Sequence, residues 1–285
     1  MIAMKRAVRL AIFLVAGIVG VVSSAAGQNG SIEFAARATP TGGLEEPVRG
    51  FPFYLLSKSF ADINKEAEAA FPKLDMDAFI DKLDVSKELK AWMKKNRWVT
   101  LSGEDFVHKL QAADVMDVPE FYNAYVQRNS GYPGMDFPKP KFKPEDKVKD
   151  PEKYTKLSAE YREAVRRYLE QNPTSIDGID MNLADIDPSP QWHAVEAKRG
   201  SEVHLRVLDL SQSKYLVART ETNLQGQGFL RDIPPGNYWL STLDVAADIG
   251  DIRPRWDTSV TVRSGEATRI TLSNVNAVQP SLSTP

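Results

Sequence analysis

The sequence predicts an α+β protein: a Greek-key, seven-stranded β-sandwich interrupted by a mainly α-helical insertion. Three observations point there. Residues 31 to 57 read as two strands, the first alternating apolar and polar side chains as a strand buried on one face does. From Phe60 to about Asn172 the apolar spacing changes to three and four, with helix-start signals. Beyond about residue 199 short alternating runs separated by turn residues return.

In the first region Ile32, Phe34 and Ala36 alternate with Glu33, Ala35 and Arg37, so Ser31 to Ala38 reads as one strand. Phe51 to Ser57 reads as a second, beyond the turn-rich Thr39-Pro40-Thr41-Gly42-Gly43. The helical region opens with short amphipathic pieces at Asp75 to Leu83 and Ser86 to Asn96, carrying Phe79, Leu83, Leu89 and Trp92. Ser102 stands three residues before Asp105, with Leu101 and Phe106 at staple positions, so Ser102 is expected to cap a helix. Asp117 before Pro119 repeats that logic. Asp150-Pro151 opens the longest candidate, along which Tyr154, Leu157, Tyr161, Val165 and Tyr168 recur at helical spacing. Between these helices lies Gly131 to Lys149, where Pro138, Pro140 and Pro144 disfavour helix, and an extended, lysine-rich strap is expected.

In the last third, Glu202 to Leu208, Lys214 to Thr220, Asn237 to Val245, Thr258 to Arg263 and Ala267 to Leu272 are the strand candidates. Val260 and Val262 face one way, and Ile270 and Leu272 answer them across the turn Ser264-Gly265-Glu266. Five strands here and two before the helices make seven. The expected organisation is a leader at 1–27, first strands at 28–58, the helical insertion at 59–198, the remaining strands at 199–276 and a C-terminal tail at 277–285.

The leader has its own signature. Lys5, Arg6 and Arg9 precede the apolar run Leu10 to Val22, and Ser23-Ser24-Ala25-Ala26-Gly27 supplies small residues before a cut. The layout is that of a secretory signal peptide with cleavage after Gly27, which implies the periplasm or the extracellular space. An uncleaved inner-membrane anchor is the alternative, and membrane contact is expected only in that case. The chain contains no cysteine, so disulfides, thiolate metal sites and lipid attachment at a cysteine are all excluded. Its formal charge of -2 falls to -5 once the three cations of the leader are removed, which argues against nucleic acid as the main partner.

One segment carries a family likeness. Thr220 to Tyr238 contains Asn223, Gly226, Gly228, Phe229 and then Ile233-Pro234-Pro235-Gly236-Asn237-Tyr238. A glycine before an aromatic strand start, followed by a proline-proline-glycine-x-tyrosine turn, resembles the carboxypeptidase regulatory-like, or transthyretin-like, β-sandwich domain. Asn223 stands where many members carry aspartate, and a helical insertion of this size departs from the family pattern. The likeness covers about residues 201–274 and, more weakly, 30–57. It implies an accessory module without the peptidase's catalytic residues. Physically, Gly228 permits close approach and Pro235-Gly236 suits a turn with positive φ.

Reactive chemistry is sparse in the sequence. Its histidines are His108, His193 and His204, and neither zinc-hydrolase nor serine-hydrolase motifs occur around them or elsewhere. His204 is expected on a strand and His108 at a helix boundary. The run Asp177, Asp180, Asn182, Asp185 and Asp187 reads as a solvated connector, with calcium coordination or paired catalytic carboxylates as the other readings; it lacks the EF-hand order. No catalytic, metal or cofactor residue is assigned.

The expected working surface is the loop Ala246 to Asp257, where Arg253, Arg255, Trp256 and Asp257 combine planar donors with a large rigid ring. The competing reading puts Trp256 in the core at the sandwich end. Trp192 and Trp239 carry the same two readings, and Trp92 and Trp98 are expected to anchor short helices. The leading functional expectation is a noncatalytic cell-envelope protein that binds a macromolecular partner, a protein or a cell-surface polysaccharide, or supports an assembly. A carbohydrate-binding module and a carboxylate-dependent hydrolase are the alternatives.

Overall fold

The computed structural model describes residues 28–131 and 136–278. The expected signal peptide and residues 279–285 of the tail lie outside the described residues. Among the described residues no helix is long and apolar enough to cross a membrane. The protein is a mixed α+β chain with two compact units, one made of residues up to Ile63 and from Leu210 onward, the other of Asn64–Asp209.

The first unit holds the strands β1 Gly30–Ala38, β2 Glu46–Pro47, β3 Pro52–Leu56, β4 Leu216–Glu221, β5 Gln227–Ile233, β6 Gly236–Ser241, β7 Asp257–Val262 and β8 Ala267–Leu272. One sheet is built around β1, which pairs antiparallel with β5 and, at its end, with β2, and parallel with β8. The other runs β4-β3-β6-β7, all antiparallel. Strands before and after the helical region therefore complete each other's sheets. Alternation along β1 buries Ile32, Phe34 and Ala36 in a core shared with Phe53 and Leu55 of β3, Leu240 of β6, Val260 and Val262 of β7 and Leu272 of β8.

Three strand expectations are corrected. Residues 202–208 are not a strand but the end of a helix, Ser189–Asp209, because the buried positions are Val203, Val207 and Leu210 at helical spacing, while Leu205 is 66% exposed. The C-terminal part of the β unit accordingly starts at Leu210 rather than at 199. β5 is not among the strands that periodicity predicts and is implied only by the motif's strand start at Phe229, since Gly228 and Asp232 interrupt a strand-like composition. Finally, β7 and β8 feed the same core but are not a paired hairpin: β7 hydrogen-bonds to β6 and β8 to β1, so the turn at Ser264-Gly265-Glu266 carries the chain from one sheet to the other.

The second unit comprises most of α1 Phe60–Ala69, then α2 Met76–Asp81, α3 Lys87–Asn96, α4 Glu104–Lys109, α5 Ala112–Asp117, α6 Pro119–Ser130, α7 Asp146–Lys149, α8 Pro151–Gln171 and α9 Ser189–Asp209. Its core centres on three rings: Trp92 meets Phe106 at 5.8 Å and Phe121 at 5.1 Å between centroids. Asp75, Ser86 and Asp150 cap α2, α3 and α8 through their side chains. Two expected caps differ. The N-cap of α4 is Gly103, and the Ser102 hydroxyl donates instead to Asp187 at 2.8 Å. Val118, not Asp117, occupies the N-cap of α6, with Pro119 opening the helix where no N–H is needed. The strap is extended around Pro138 and Pro140, but its end winds into α7.

Candidate functional site

The loop before β7 turns inward. Ala247 N–H bonds to Pro254 O at 2.9 Å, Ile249 and Ile252 bridge to each other, and the side chains of Ala247 and Ile249 join the core. Trp256 is 0% exposed, 5.9 Å from the Phe53 ring, with its indole N–H donated to Ser273 O at 3.0 Å. Its backbone is clamped by Thr242, which donates its N–H to Trp256 O and accepts the Trp256 N–H on its hydroxyl. The expectation that Trp256 offers a contact surface is therefore corrected. Its strand phase explains why: Trp256 precedes Val260 and Val262 by even numbers of residues, so all three point to the same face.

The other residues of that expected surface are divided. Arg253 is exposed, ion-paired with Asp248, and donates to the carbonyls of Gly250 and Ile252. Arg255 is half-buried, and its carbonyl accepts the Val278 N–H. Asp257 accepts the Phe60 N–H at 2.9 Å, capping the first turn of α1. Burial pushes its carboxyl up from the ordinary range, only partly countered by the N–H groups of Phe60 and Ala61. These four residues thus form a structural corner with one exposed guanidinium, and not a converged binding group.

The acidic run also has structural partners. Asp180 accepts the Gly103 N–H at 3.1 Å, and Asp187 accepts from Ser102 and from the Ser189 N–H at 2.9 Å, at the start of α9. Burial alone would raise the Asp187 carboxyl, but hydrogen bonds from Ser189, Ser102 and Leu101 outweigh it and hold it below the ordinary range. Among the described residues no three His, Cys, Asp or Glu side chains stand together as a group able to hold a metal ion. His108 lies on α4, whereas His193 and His204 both lie on α9, so His204 is not on a strand. His193 bonds to Glu196 at 3.2 Å, and Trp192 packs against Phe79 in the helical core.

Among the described residues, an aromatic ring is presented to solvent on the outward face of the β1 sheet. Across β8, β1 and β5 the register sets Arg269 beside Glu33 and Glu33 beside Phe229. Glu33 and Arg269 form an ion pair at 3.2 Å, and Phe229 is 48% exposed. Gly228 and Leu230 face the core, so Phe229 must face out with Gln227 and Arg231. The inward side explains the glycine: a Cβ at Gly228 would lie 2.2 Å from the Phe34 ring, so that ring occupies the space a side chain would need. A shallow depression of about 370 Å³ runs along this face, bounded by Ser31, Glu33, Phe229, Arg231 and the turn at Gly265.

The positive φ expected at Gly236 falls instead on Asp232, at 56°, at the end of β5. Asp tolerates that conformation better than most residues because its short side chain bonds locally. The next turn is held by the Tyr238 hydroxyl, which donates to Pro234 O at 2.9 Å. In the sequence Phe229 is a strand start, and its exposure is not expected there. The signal was its parity relative to Gly228 and Leu230.

No protein-family model matches this chain. No curated protein matches it either. Among solved structures, a candidate carbohydrate-binding protein from Pseudomonas aeruginosa is similar at 12% identity and a TM-score of 0.27, covering 87% of this chain and 90% of that one. The pilus backbone of Streptococcus pneumoniae is similar at 12% identity and a TM-score of 0.21, covering 86% of this chain and 40% of that one. Likeness at that level assigns neither fold family nor function.

Proposed function

We propose that this chain is a noncatalytic, exported cell-envelope protein whose β unit holds a protein partner on the outward face of its β1 sheet. The observation that carries this reading is Phe229. It is a half-exposed ring on the edge strand β5, with Arg231 two residues along, Glu33 beside it on β1 and Arg269 next to Glu33 on β8. An exposed aromatic flanked by charged side chains is the kind of residue whose truncation removes much of a protein–protein affinity. The depression beside it is shallow and lined by residues of β1, β5 and the turn before β8, which suits a partner's chain lying across the strands.

In this reading the β unit is a Greek-key sandwich of the transthyretin-like kind. The packing of Phe34 over Gly228 and the Tyr238 bond to Pro234 support it, since both give the motif residues a physical task. The leader supplies the export route, and N-terminal sequencing of the mature protein should begin at or near Gln28. A retained Met1 in the membrane fraction would replace cleavage by anchoring.

The docking face is tested by placing a photo-cross-linking residue at Phe229 and, as a control, at Val217 on the other sheet. A discrete protein adduct at 229 and none at 217 is expected in cells. Equal adducts at both positions, or none at either, would overturn the assignment. Binding to a purified polysaccharide that is lost in Phe229→Ala would convert the reading to carbohydrate recognition by the same face.

A further inference from the structure

A second surface, independent of the β unit, lies where the proline-rich strap crosses α8. The strap is pinned at two points. Phe137 packs on Tyr168 at 5.1 Å and on Tyr125 at 5.9 Å, while Phe142 packs on Tyr154 at 5.0 Å and on Tyr161 at 6.0 Å. The strap therefore runs antiparallel to α8, with residues 138–141 between the pins. Pro138 and Pro140 favour an extended backbone of roughly 3.1 Å per residue, so the five steps from Phe137 to Phe142 reach about 16 Å. A stretched, proline-stiffened arch has little freedom to settle onto the helix beneath it.

What lies under the arch is a groove of about 550 Å³, within the range typical of small-molecule sites, about 300–1,000 Å³. Its floor comes from one face of α8, where Leu157, Tyr161 and Ala164 follow one another at helical spacing. Ala164 is small, which keeps the floor low. Lys139 and Lys141 on the arch and Arg167 on the helix bring three cations to the walls. Neither lysine has an ion-pair partner among the described residues. Two carboxylates also line the groove, but Glu163 is already engaged by Arg166 at 3.5 Å, which leaves Glu160 against the three cations.

We infer that this groove binds a compact amphipathic anion, its apolar body seated on Leu157, Tyr161 and Ala164 and its carboxylate held by Lys139, Lys141 and Arg167. The apolar floor favours burial of a ring or short acyl body. The cations reward a negative head at the rim, where two flexible ammonium groups and one planar guanidinium can converge on it. The aromatic pins hold the arch in place beforehand, which lowers the ordering cost of binding.

The test uses the purified full chain and three probes of nearly equal shape: 2-naphthoate, neutral 2-naphthamide and the 2-naphthylmethylammonium cation. Calorimetric titration should show saturable one-site binding of 2-naphthoate, about tenfold tighter than the amide, with the cation weakest. The pair Lys141→Gln and Arg167→Gln should bring 2-naphthoate down to the affinity of the amide with an unchanged melting temperature, because both side chains are exposed. Ala164→Trp, which fills the floor, should abolish binding of all three probes; should that variant unfold, the charge pair decides by itself. Absence of saturable 2-naphthoate binding, equal affinities for the three probes, or an affinity unmoved by the charge pair would each overturn the site.

Discussion

Trp256 and Phe229 look alike in the sequence and do opposite things in the fold. Each is an aromatic residue in or beside a strand, with arginine close by, and of the two only Trp256 is expected from the sequence to be a contact residue. Trp256 is fully buried and bonded to Ser273, whereas Phe229 is half exposed on a polar sheet face. The difference is strand parity. Trp256 shares the phase of Val260 and Val262, which face the core, and Phe229 falls between Gly228 and Leu230, which do so. Chemical character pointed to Trp256, and the pleat decided that Phe229 is the ring that meets solvent.

The strongest way to break this comparison is to truncate each ring. Trp256→Ala should cost about 3–5 kcal/mol, the range for a large aromatic cavity, and Phe229→Ala should stay within about 0.5 kcal/mol. Urea unfolding of the purified protein measures both. Similar losses for the two variants would mean that Phe229 is packed as tightly as Trp256 and would remove the proposed docking face.

Gly228→Ala sharpens the comparison from the inward side of the same strand. The added methyl would meet the Phe34 ring at 2.2 Å, so a loss of about 1–3 kcal/mol is expected. Because one contact is responsible, Phe34→Ala should relieve part of it, and the double variant should be more stable than the two single losses added together. Strict additivity would show that Gly228 serves the backbone and not the ring.

Two capping aspartates extend the contrast to charge. Asp257 is raised by burial, so its folded form holds a proton more firmly than the unfolded chain, and its contribution to stability falls as pH rises through the raised value. Asp257→Asn should therefore gain on the native protein as pH climbs from about 4 towards neutrality, with the ordinary carboxylate value near 3.8 at the lower edge. Asp187 is lowered, so its contribution is present above the ordinary value and is lost as pH falls through the folded one. Asp187→Asn should cost about 1 kcal/mol at neutral pH, a typical capping loss, and the difference should shrink in acid. Thermal melts of the two variants from pH 3 to pH 7 (roughly the window set by ordinary carboxylates) should change in opposite directions, and parallel profiles would contradict the assigned environments.

The smallest effect is expected at Arg253. It is exposed and paired with Asp248, itself exposed, and such surface ion pairs are worth about 0–1 kcal/mol. Arg253→Ala should leave melting nearly unchanged. A loss comparable to Trp256→Ala would instead make the whole loop a cooperative part of the core.

Much of the helical region was legible because its signals are local. Asp75, Ser86 and Asp150 cap the helices they precede, and the Tyr154-to-Tyr168 stripe follows from helical spacing. The misreadings arose where local signals compete. Glu202 to Leu208 satisfies a period of two as well as a helical one, and packing of Val203 and Val207 selected the helix. Ser102 had the form of a cap, yet its hydroxyl bonds to Asp187, eighty-five residues away in sequence. Of the expected surface residues Arg253 is exposed, Arg255 and Asp257 are half-buried, and Trp256 is buried, because an inward-folding loop is a tertiary event.

The sequence by itself determined the alternation that makes strands at 31–38 and 258–263, the helix-forming middle, the turn residues between them and the absence of cysteine chemistry. Only the tertiary structure decided that β1 is shared by β5 and β8, that β7 and β8 part into different sheets, and that a strap pinned by two phenylalanines leaves a cationic groove over α8. The physical reason is range. Backbone preference and side-chain period act over a few residues and are written into each segment, whereas strand partners, burial and converging charges depend on segments up to about 240 residues apart meeting around a common core.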